Sequence, residues 1–328
     1  MKIANGKYPE RILTRSKKIE KRMDWLWEMN PHISSKKVAL AAVLRYSGIE
    51  GLLFNIGRFQ YGRAHIKAVG YHSVTSLDVS NFRRQMDLYM KHYSPVSMDD
   101  LNNLLVHGQW QKTMPGIIIS FDDGLLDNYR VAAPILEDYG VRGLFFVPSD
   151  FINQSPVDQK AYADEHRIMI PGDYKGNGRL AMTWNEIADL AKRGHMLGSH
   201  THSHCRFYQS VPPEQMQMEM SESKRLLEES LKQRIHVFAW VGGETETYNS
   251  TASYWIAKVG YALSFTTIPM LITHKTNPFL LGRTEIEADW PLSIVKFQLC
   301  GMMDFLYTLK RRKVFRTIRD GIKAFERS

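Results

Sequence analysis

A pair of adjacent carboxylates follows an apolar stretch near the middle of the chain. Ile117–Phe121 has the composition of a buried strand, and it ends abruptly in Asp122, Asp123 and Gly124. Two neighbouring carboxylates repel each other when they are buried, unless a cation lies beside them. Gly124 permits the sharp turn that would let both face one cavity. An ordinary polar turn is the alternative, because Asp and Gly are common turn residues.

A histidine-rich segment supplies the complementary ligand type. It reads His200–Thr201–His202–Ser203–His204, and histidines four positions apart can converge on one metal ion. A solvated polar loop is the alternative, and an H-x-H arrangement through His202 is also open. One carboxylate and two imidazoles would form a metal site with an open position, as in catalytic zinc sites. The second carboxylate would then be free to act as a general base.

Together the two motifs resemble those of the polysaccharide deacetylases, the NodB-homology family (carbohydrate esterase family 4). Ser120–Gly124 matches the family's T/S-F-D-D-G motif, and His200, Thr201 and His204 match its H-S/T-x-x-H motif. The resemblance covers roughly residues 66–290. It implies that Asp122 is the catalytic base and that Asp123, His200 and His204 hold a divalent metal, with Zn²⁺ as the preferred ion.

Two further segments resemble a permuted subgroup of this family. Gly70–Val74 resembles its Y-H-x-V segment, which implies that His72 is the acid that protonates the leaving group. A buried structural histidine is the alternative. Gly282–Ile286 resembles the late L-P-R-I segment, which implies that Arg283 pairs with Asp122 and keeps it ionised. An ordinary surface arginine would fit the same pattern.

The third motif departs from the subgroup. The subgroup has F-A-Y-P-Y-G, whereas this chain has Phe238–Ala239–Trp240–Val241–Gly242–Gly243. The resemblance implies that the backbone N–H of Gly242 stabilises the oxyanion, but the rigid Pro-Tyr frame is missing. Preorganised donors of this kind contribute a few kcal/mol. The departure therefore concerns substrate fit and rate, and it leaves the metal site intact.

The elements around these motifs alternate between apolar strands and amphipathic helices, which is typical of an α/β fold. The resemblance specifies an irregular (β/α) barrel of the polysaccharide deacetylase type, with helical N- and C-terminal extensions. We expect a basic helical segment over 1–64, the catalytic domain over 65–290 and a basic helical segment over 291–328. A long loop is expected over Asp150–Arg179. The predicted strands are Ile66–Tyr71, Ile117–Phe121, Gly143–Val147, Met196–Ser199, Val237–Trp240 and Ala262–Thr266. The predicted helices are Val79–Lys91, Asp127–Tyr139, Thr183–Arg193, Glu214–Lys232 and Ser250–Val259.

The composition is that of a globular protein with a strong positive charge. The 328 residues carry a formal net charge of +9, with 44% hydrophobic residues and two cysteines. No finger or ribonucleoprotein motif accompanies the charge, so no nucleic acid is expected. No secretory signal is recognisable, and the apolar stretch Val38–Phe59 is interrupted by charges, so we expect a cytoplasmic protein. The basic amphipathic end predicts either a docked helix or peripheral contact with the anionic inner face of a membrane.

These observations lead to one predicted reaction and two alternatives. The predicted reaction is hydrolytic removal of an acetyl group, N-acetyl rather than O-acetyl, from a polysaccharide or a lipid-linked sugar. A water molecule activated by the metal is the nucleophile and Asp122 is the base. A non-haem Fe(II) oxygenase is one alternative, because two histidines and a carboxylate also suit iron. A catalytically weak carbohydrate-binding relative is the other, because the third motif is altered.

Overall fold

The computed structural model describes residues 62–301, 304 and 306–328. The predicted N-terminal segment 1–64 lies outside the described residues except for its last three positions. The stretch Val38–Phe59 lies wholly outside them.

Parallel strands form a closed barrel. Strand β1 pairs with β3 on one side and with β8 on the other, so that β1 and β3 to β8 close a ring of seven strands within the described chain. The short strand β2 pairs with the beginning of β3. The barrel predicted from the sequence is therefore confirmed. The strands are β1 Ile66–Tyr71, β2 Ser94–Pro95, β3 Gly116–Phe121, β4 Leu144–Val147, β5 Met196–Ser199, β6 Val237–Ala239, β7 Leu263–Thr266 and β8 Leu281–Glu285.

Side chains alternate between the barrel interior and the helical layer outside it. On β1, Ile66 and Ala68 belong to the inner apolar cluster, whereas Val69 and Tyr71 belong to the larger cluster that includes the helices. This alternation follows from the two-residue period of a strand. Both faces are apolar because a parallel sheet is covered on both sides. The inner cluster contains Ile66, Ala68, Ile118, Leu144, Phe146, Val237, Ala239, Phe265 and Leu281.

Helices cover the outside of the barrel. Thr183 caps its helix reciprocally with Glu186, as the sequence predicts. The predicted helix Asp127–Tyr139 begins instead with a π-helical turn, Asn128–Ala132, and continues as α3. Pro134 lies in the first turn of α3 and has no N–H to donate. The α-helices are α1 Val79–His92, α2 Met98–His107, α3 Ala133–Asp138, α4 Ser149–Asn153, α5 Gln159–His166, α6 Trp184–Lys192, α7 Pro213–Leu231, α8 Ser250–Lys258, α9 Leu292–Leu299 and α10 Thr308–Glu326.

Three parts of the structure differ from the sequence prediction. The segment Asp150–Arg179 is not a continuous loop, because α4 extends into it and α5 lies within it. Helix α2 was not predicted, although Ser97 and Asp100 form its capping box. Strand β8 was not predicted either, although it closes the barrel between β7 and β1.

The C-terminal segment packs on the barrel domain. Helix α10 lies against α8 and buries Val314, Ile318 and Ile322. The contact is close, because a Cβ added at Gly321 would lie 1.9 Å from the carbonyl oxygen of Ser250. The apolar stripe of the basic helix is therefore covered by the domain. Among the described residues, no helix combines the length and hydropathy required to cross a bilayer.

Candidate active site

The carboxyl ends of the strands bring the predicted site residues to one rim of the barrel. His72 follows β1, Asp122 and Asp123 follow β3, and His200 follows β5. Together with His204 and Gly242 they line a cavity of about 480 Å³. Loops at this rim carry the functional groups of barrel enzymes, and the sequence motifs meet there because the strands are parallel.

Asp123, His200 and His204 are buried and converge. The Nε2 atom of His204 lies 3.1 Å from Asp123 Oδ1, and that of His200 lies 3.7 Å from the same oxygen. One ligand atom from each residue falls within 4.8 Å of the others. These separations are those of atoms that can share one cation.

The outer hydrogen bonds of these residues orient them for a cation. His200 Nδ1 lies 3.1 Å from the Ala239 carbonyl oxygen, and His204 Nδ1 lies 2.8 Å from that of His166. Each Nδ1 can therefore donate its proton to a carbonyl, which leaves the Nε2 lone pair free. Asp123 Oδ2 accepts from the Met169 N–H, whereas Oδ1 has no hydrogen-bond partner among the described residues. A buried, unpaired carboxylate oxygen facing two imidazoles fits a divalent ion.

The two loops that carry Asp123 and the histidines contain strained backbone conformations. Asp123, Thr201 and His204 have φ values of 69°, 66° and 58°, in the left-handed region that non-glycine residues rarely occupy. The buried Glu219 of α7 accepts from the N–H groups of His202 and Ser203 at 2.9 and 2.8 Å. The ring of His202 is bonded to Ser149 at 2.8 Å instead of joining the cluster. The H-x-H alternative is therefore not supported.

Asp122 forms a buried ion pair with Arg283. The Nη1 and Nη2 atoms of Arg283 donate to Oδ1 and Oδ2 of Asp122 at 2.6 and 2.7 Å. Burial would raise the pKa of Asp122, but the charges of Arg283 and His200 outweigh it and lower the pKa. The predicted contact between Arg283 and Asp122 is present, and Arg283 is fully buried instead of lying on the surface.

His72 lines the same cavity and is bonded to an acidic side chain. Its Nδ1 lies 3.2 Å from Oε1 of Glu287, and its carbonyl accepts from Asn128 Nδ2 at 2.9 Å. Burial would lower the pKa of His72, but the hydrogen bond and charge of Glu287, with further acidic neighbours, raise it to about 10. The raised pKa favours the protonated imidazole, which can donate a proton into the cavity.

Two acidic residues of the site were missed by the sequence analysis. Glu287 positions His72, and Glu285 lies in a cluster with His72 and Asp122. Neither Glu285 oxygen has a hydrogen-bond partner among the described residues, and burial raises the pKa of this carboxyl group. The alternation Arg283, Glu285, Glu287, which begins in β8 and continues past its end, could have revealed them, because every second residue of a strand shares a face.

Gly242 lies at the cavity in a conformation that suits glycine. Its φ is +81°, and an added Cβ would lie 2.8 Å from the Glu244 carboxylate and 3.0 Å from Arg206 Nε. The described part of the chain supplies no acceptor for its N–H. A free donor at this position can serve a substrate oxygen.

Comparisons with known proteins agree with this geometry. Residues 111–264 match the family model for polysaccharide deacetylase. A relative from Bacillus subtilis (strain 168), the polysaccharide deacetylase homologue YxkH, is 23% identical over 230 residues, covering 68% of this chain and 72% of its own.

Solved structures have the same fold. The Streptococcus pyogenes deacetylase PplD is 20% identical with a TM-score of 0.57, and covers 72% of this chain and 98% of its own. IcaB from Ammonifex degensii is 19% identical with a TM-score of 0.56, and covers 73% and 97%. Over residues 111–264 the chain is therefore similar to the polysaccharide deacetylases, and its barrel has the fold of solved deacetylases.

Proposed function

We propose that the protein removes an N-acetyl group from a polysaccharide or a lipid-linked sugar by metal-dependent hydrolysis. One observation carries the proposal: the cluster Asp123, His200 and His204 lines the same cavity as Asp122 and His72. The cavity thus combines groups that can hold a cation, accept a proton and donate a proton.

Asp123, His200 and His204 are the residues that would hold the divalent ion. A bound ion, preferably Zn²⁺, would act as a Lewis acid and make a water molecule acidic near neutral pH. Asp122 is the base that accepts the proton of the attacking water, and Arg283 keeps it ionised. Its Oδ2 lies 3.9 Å from His200 Nε2, so it is beside the ligand cluster, but both of its oxygens are bonded to Arg283.

His72 and Gly242 serve the leaving group and the oxyanion. His72 donates its proton to the departing nitrogen, because an amine leaves poorly unless it is protonated. Glu287 keeps the imidazole cationic until that step. The N–H of Gly242 donates to the carbonyl oxygen of the acetyl group as negative charge develops on it.

The site supports hydrolysis over the two alternatives. In a non-haem iron oxygenase, the ion must leave open positions for oxygen, and no second carboxylate clamped by a buried arginine is needed. A weak carbohydrate-binding relative has no need of a base and an acid on either side of a ligand cluster. Both Asp122 and His72 are held by specific partners here.

We also propose a location at the cytoplasmic face of an anionic membrane. The exposed side of α10 carries Arg312, Lys313, Arg316, Arg319 and Lys323, and Arg327 follows its end. This basic surface supports the proposal, because anionic headgroups attract such clusters.

Acetate release from a panel of acetylated glycans and lipid-linked sugars tests the reaction, alongside elemental analysis of the purified protein. We expect about one divalent ion per chain, loss of acetate release on chelation, and recovery when zinc is added. Asp123→Asn should lose the ion, and the surface variant Glu326→Gln should keep it. Full acetate release from protein that has been freed of metal would refute the metal-dependent mechanism.

A further inference from the structure

Two arginines lie beside the metal ligands without belonging to the reaction machinery. Arg167 and Arg206 both line the active-site cavity. No carboxylate of the described residues lies within ion-pairing distance of either guanidinium. Lys310 lines the same cavity and donates to the Gly243 carbonyl. The cavity lining thus adds three cationic side chains and one further carboxylate, that of Glu244, to the groups described above.

The backbone at Arg167 is held in place by the bonds that orient the metal ligands, whereas its side chain is exposed. The carbonyl of His166 is the partner of His204 Nδ1, and the N–H of Met169 donates to Asp123 Oδ2. Arg167 lies between these two anchors, with a left-handed φ of 56°. A non-glycine residue in that conformation costs free energy and persists where its surroundings fix it. The backbone position of Arg167 is thus coupled to the reaction centre.

Arg206 follows His204 by two residues and lines the same cavity. Its Nε is buried and has no hydrogen-bond acceptor among the described residues. Leaving a buried donor unpaired is unfavourable, so such a group in a native structure calls for a partner. The Glu244 carboxylate lies nearby and interacts with the charge of Arg206, but it is not bonded to this Nε and accepts instead from the Gly243 N–H.

A second cavity of about 300 Å³ adjoins the first at these arginines. It shares Arg167, His204 and Arg206 with the active-site cavity. Its remaining lining has one acidic residue, Glu165, together with His166, Ser203, Cys205, Tyr208 and Gln215. A ligand with an acetyl group at the metal site can therefore extend past both guanidinium groups into this space.

We propose that the second cavity is a subsite for an oxyanion carried by the acetylated substrate, bound by Arg167 and Arg206. The inference rests on the proposed deacetylase function and specifies its substrate class. Guanidinium groups bind the oxygens of phosphate or carboxylate through paired hydrogen bonds. Either a sugar phosphate or an acidic sugar supplies that chemistry. Lys310, which lines the active-site cavity, adds electrostatic attraction for an anion.

Calorimetric binding to the zinc-loaded protein tests the proposal, with Asp122→Asn present to prevent turnover. The ligands are N-acetylglucosamine 1-phosphate, the methyl glycoside of N-acetylglucosamine, and N-acetylmuramic acid. We expect an anionic ligand to bind about tenfold more tightly than the neutral glycoside. Arg206→Gln and Arg167→Gln should each remove most of that preference. Arg84→Gln, which changes an exposed arginine on α1, should preserve it.

The arms of the experiment separate the outcomes. A preference for the 1-phosphate identifies a sugar phosphate, and a preference for the muramic acid identifies a carboxylate. Equal binding of all three ligands would overturn the proposal. A preference that survives in both arginine variants would also overturn it, because the ion itself would then hold the anion. Acetate release by the wild-type protein from neutral glycans reports the proposed function separately.

Discussion

Arg283 clamps both carboxylate oxygens of Asp122 at 2.6 and 2.7 Å inside the barrel rim. The guanidinium group is fully buried, lies 5.0 Å from the centre of the Phe146 ring, and also donates to Ser120 Oγ at 3.1 Å. A planar fork of this kind fixes the orientation of a carboxylate as well as its charge. The clamp therefore fixes both the position and the ionisation of the proposed base.

Arg283→Gln should move the acidic limb of the kcat/KM profile to higher pH. Arg283 holds the pKa of Asp122 below its usual range, so the base stays ionised until the pH falls through that low value. Removing the cation raises the pKa, and activity is then lost earlier on acidification. Ser120→Ala keeps the clamp and should shift the limb little. An unchanged limb in Arg283→Gln would show that Asp122 does not set it.

Arg283→Gln should also destabilise the folded protein. Removing one partner of a buried ion pair lowers the free energy of unfolding by about 3–5 kcal/mol, because the other charge remains buried without compensation. The depressed pKa of Asp122 stabilises the fold above the unfolded pKa, and this contribution is lost as pH falls through the folded value. Urea denaturation near neutral pH measures the loss, so the pH profile should be taken where Arg283→Gln is still folded.

Asp122→Asn and Asp123→Asn should both lose deacetylase activity, but for different reasons. The amide at position 122 cannot accept a proton, so acetate release should fall by roughly 10²–10⁴-fold while the metal content stays near that of the wild type. The amide at position 123 removes the negative ligand from the cluster, so the metal itself should be bound weakly. Elemental analysis after dialysis distinguishes the two. Equal metal loss in both variants would contradict this division of roles.

His72→Ala should slow deacetylation of an amide by roughly 10²–10⁴-fold, the usual contribution of a positioned acid. The loss should be much smaller for an activated acetyl ester, whose leaving group departs without a proton. Steady-state rates on the two substrates give the comparison. Equal losses on both would assign His72 a structural role instead.

Glu287→Gln should shift the alkaline limb of kcat/KM to lower pH. The hydrogen bond and charge of Glu287 raise the pKa of His72, which reaches about 10, so the acid keeps its proton over a wide range. Without the carboxylate, burial lowers that pKa, and the proton is lost sooner as pH rises. The distant variant Glu326→Gln should leave the alkaline limb unchanged. If Glu287→Gln also leaves it unchanged, Glu287 does not control the pKa of His72.

The parts of the fold that were predicted correctly have strong local signals. Strands β1 and β5 were predicted with the bounds found in the structure, because apolar runs are bounded there by turn residues. Strand β8 was missed because Leu-Gly-Arg-Thr-Glu has no apolar run. Its position between β7 and β1 is determined by barrel closure, which is not a local property.

The site, like the fold, combines residues that local motifs predict with contacts that come from distant segments of the chain. The convergence of Asp123, His200 and His204 could be predicted because two specific motifs supply these residues. The partners that tune it come from distant segments: Met169 donates to Asp123, and Glu219 holds the histidine loop. Helix α5, which supplies the His166 carbonyl, is short and polar, so its eight residues carry little periodicity. Such contacts depend on packing and have no fixed sequence spacing.

The C-terminal helix can contact a membrane only through the side that the domain leaves free. Its apolar stripe is buried against α8, so insertion of that stripe into a bilayer would require the helix to undock. The free side is basic, and Leu309 at its start is 78% exposed. The neighbouring Lys310 lines the active-site cavity. A membrane bound at this surface would therefore lie close to the mouth of the site, where a lipid-linked sugar could enter.

Substituting glutamine for Arg312, Arg316, Arg319 and Lys323 together should weaken binding to anionic vesicles without affecting the metal site. Each such cation near an anionic surface contributes about 1 kcal/mol, and salt screens the attraction over roughly 10 Å at 0.1 M. Co-flotation with phosphatidylserine-containing vesicles at low salt measures the effect, with neutral vesicles as the control. Because the substituted side chains lie away from the buried stripe, docking on α8 and the metal content should persist. Wild-type protein that fails to float with anionic vesicles at low salt would leave α10 a purely structural helix, since its attraction for headgroups should be greatest under those conditions.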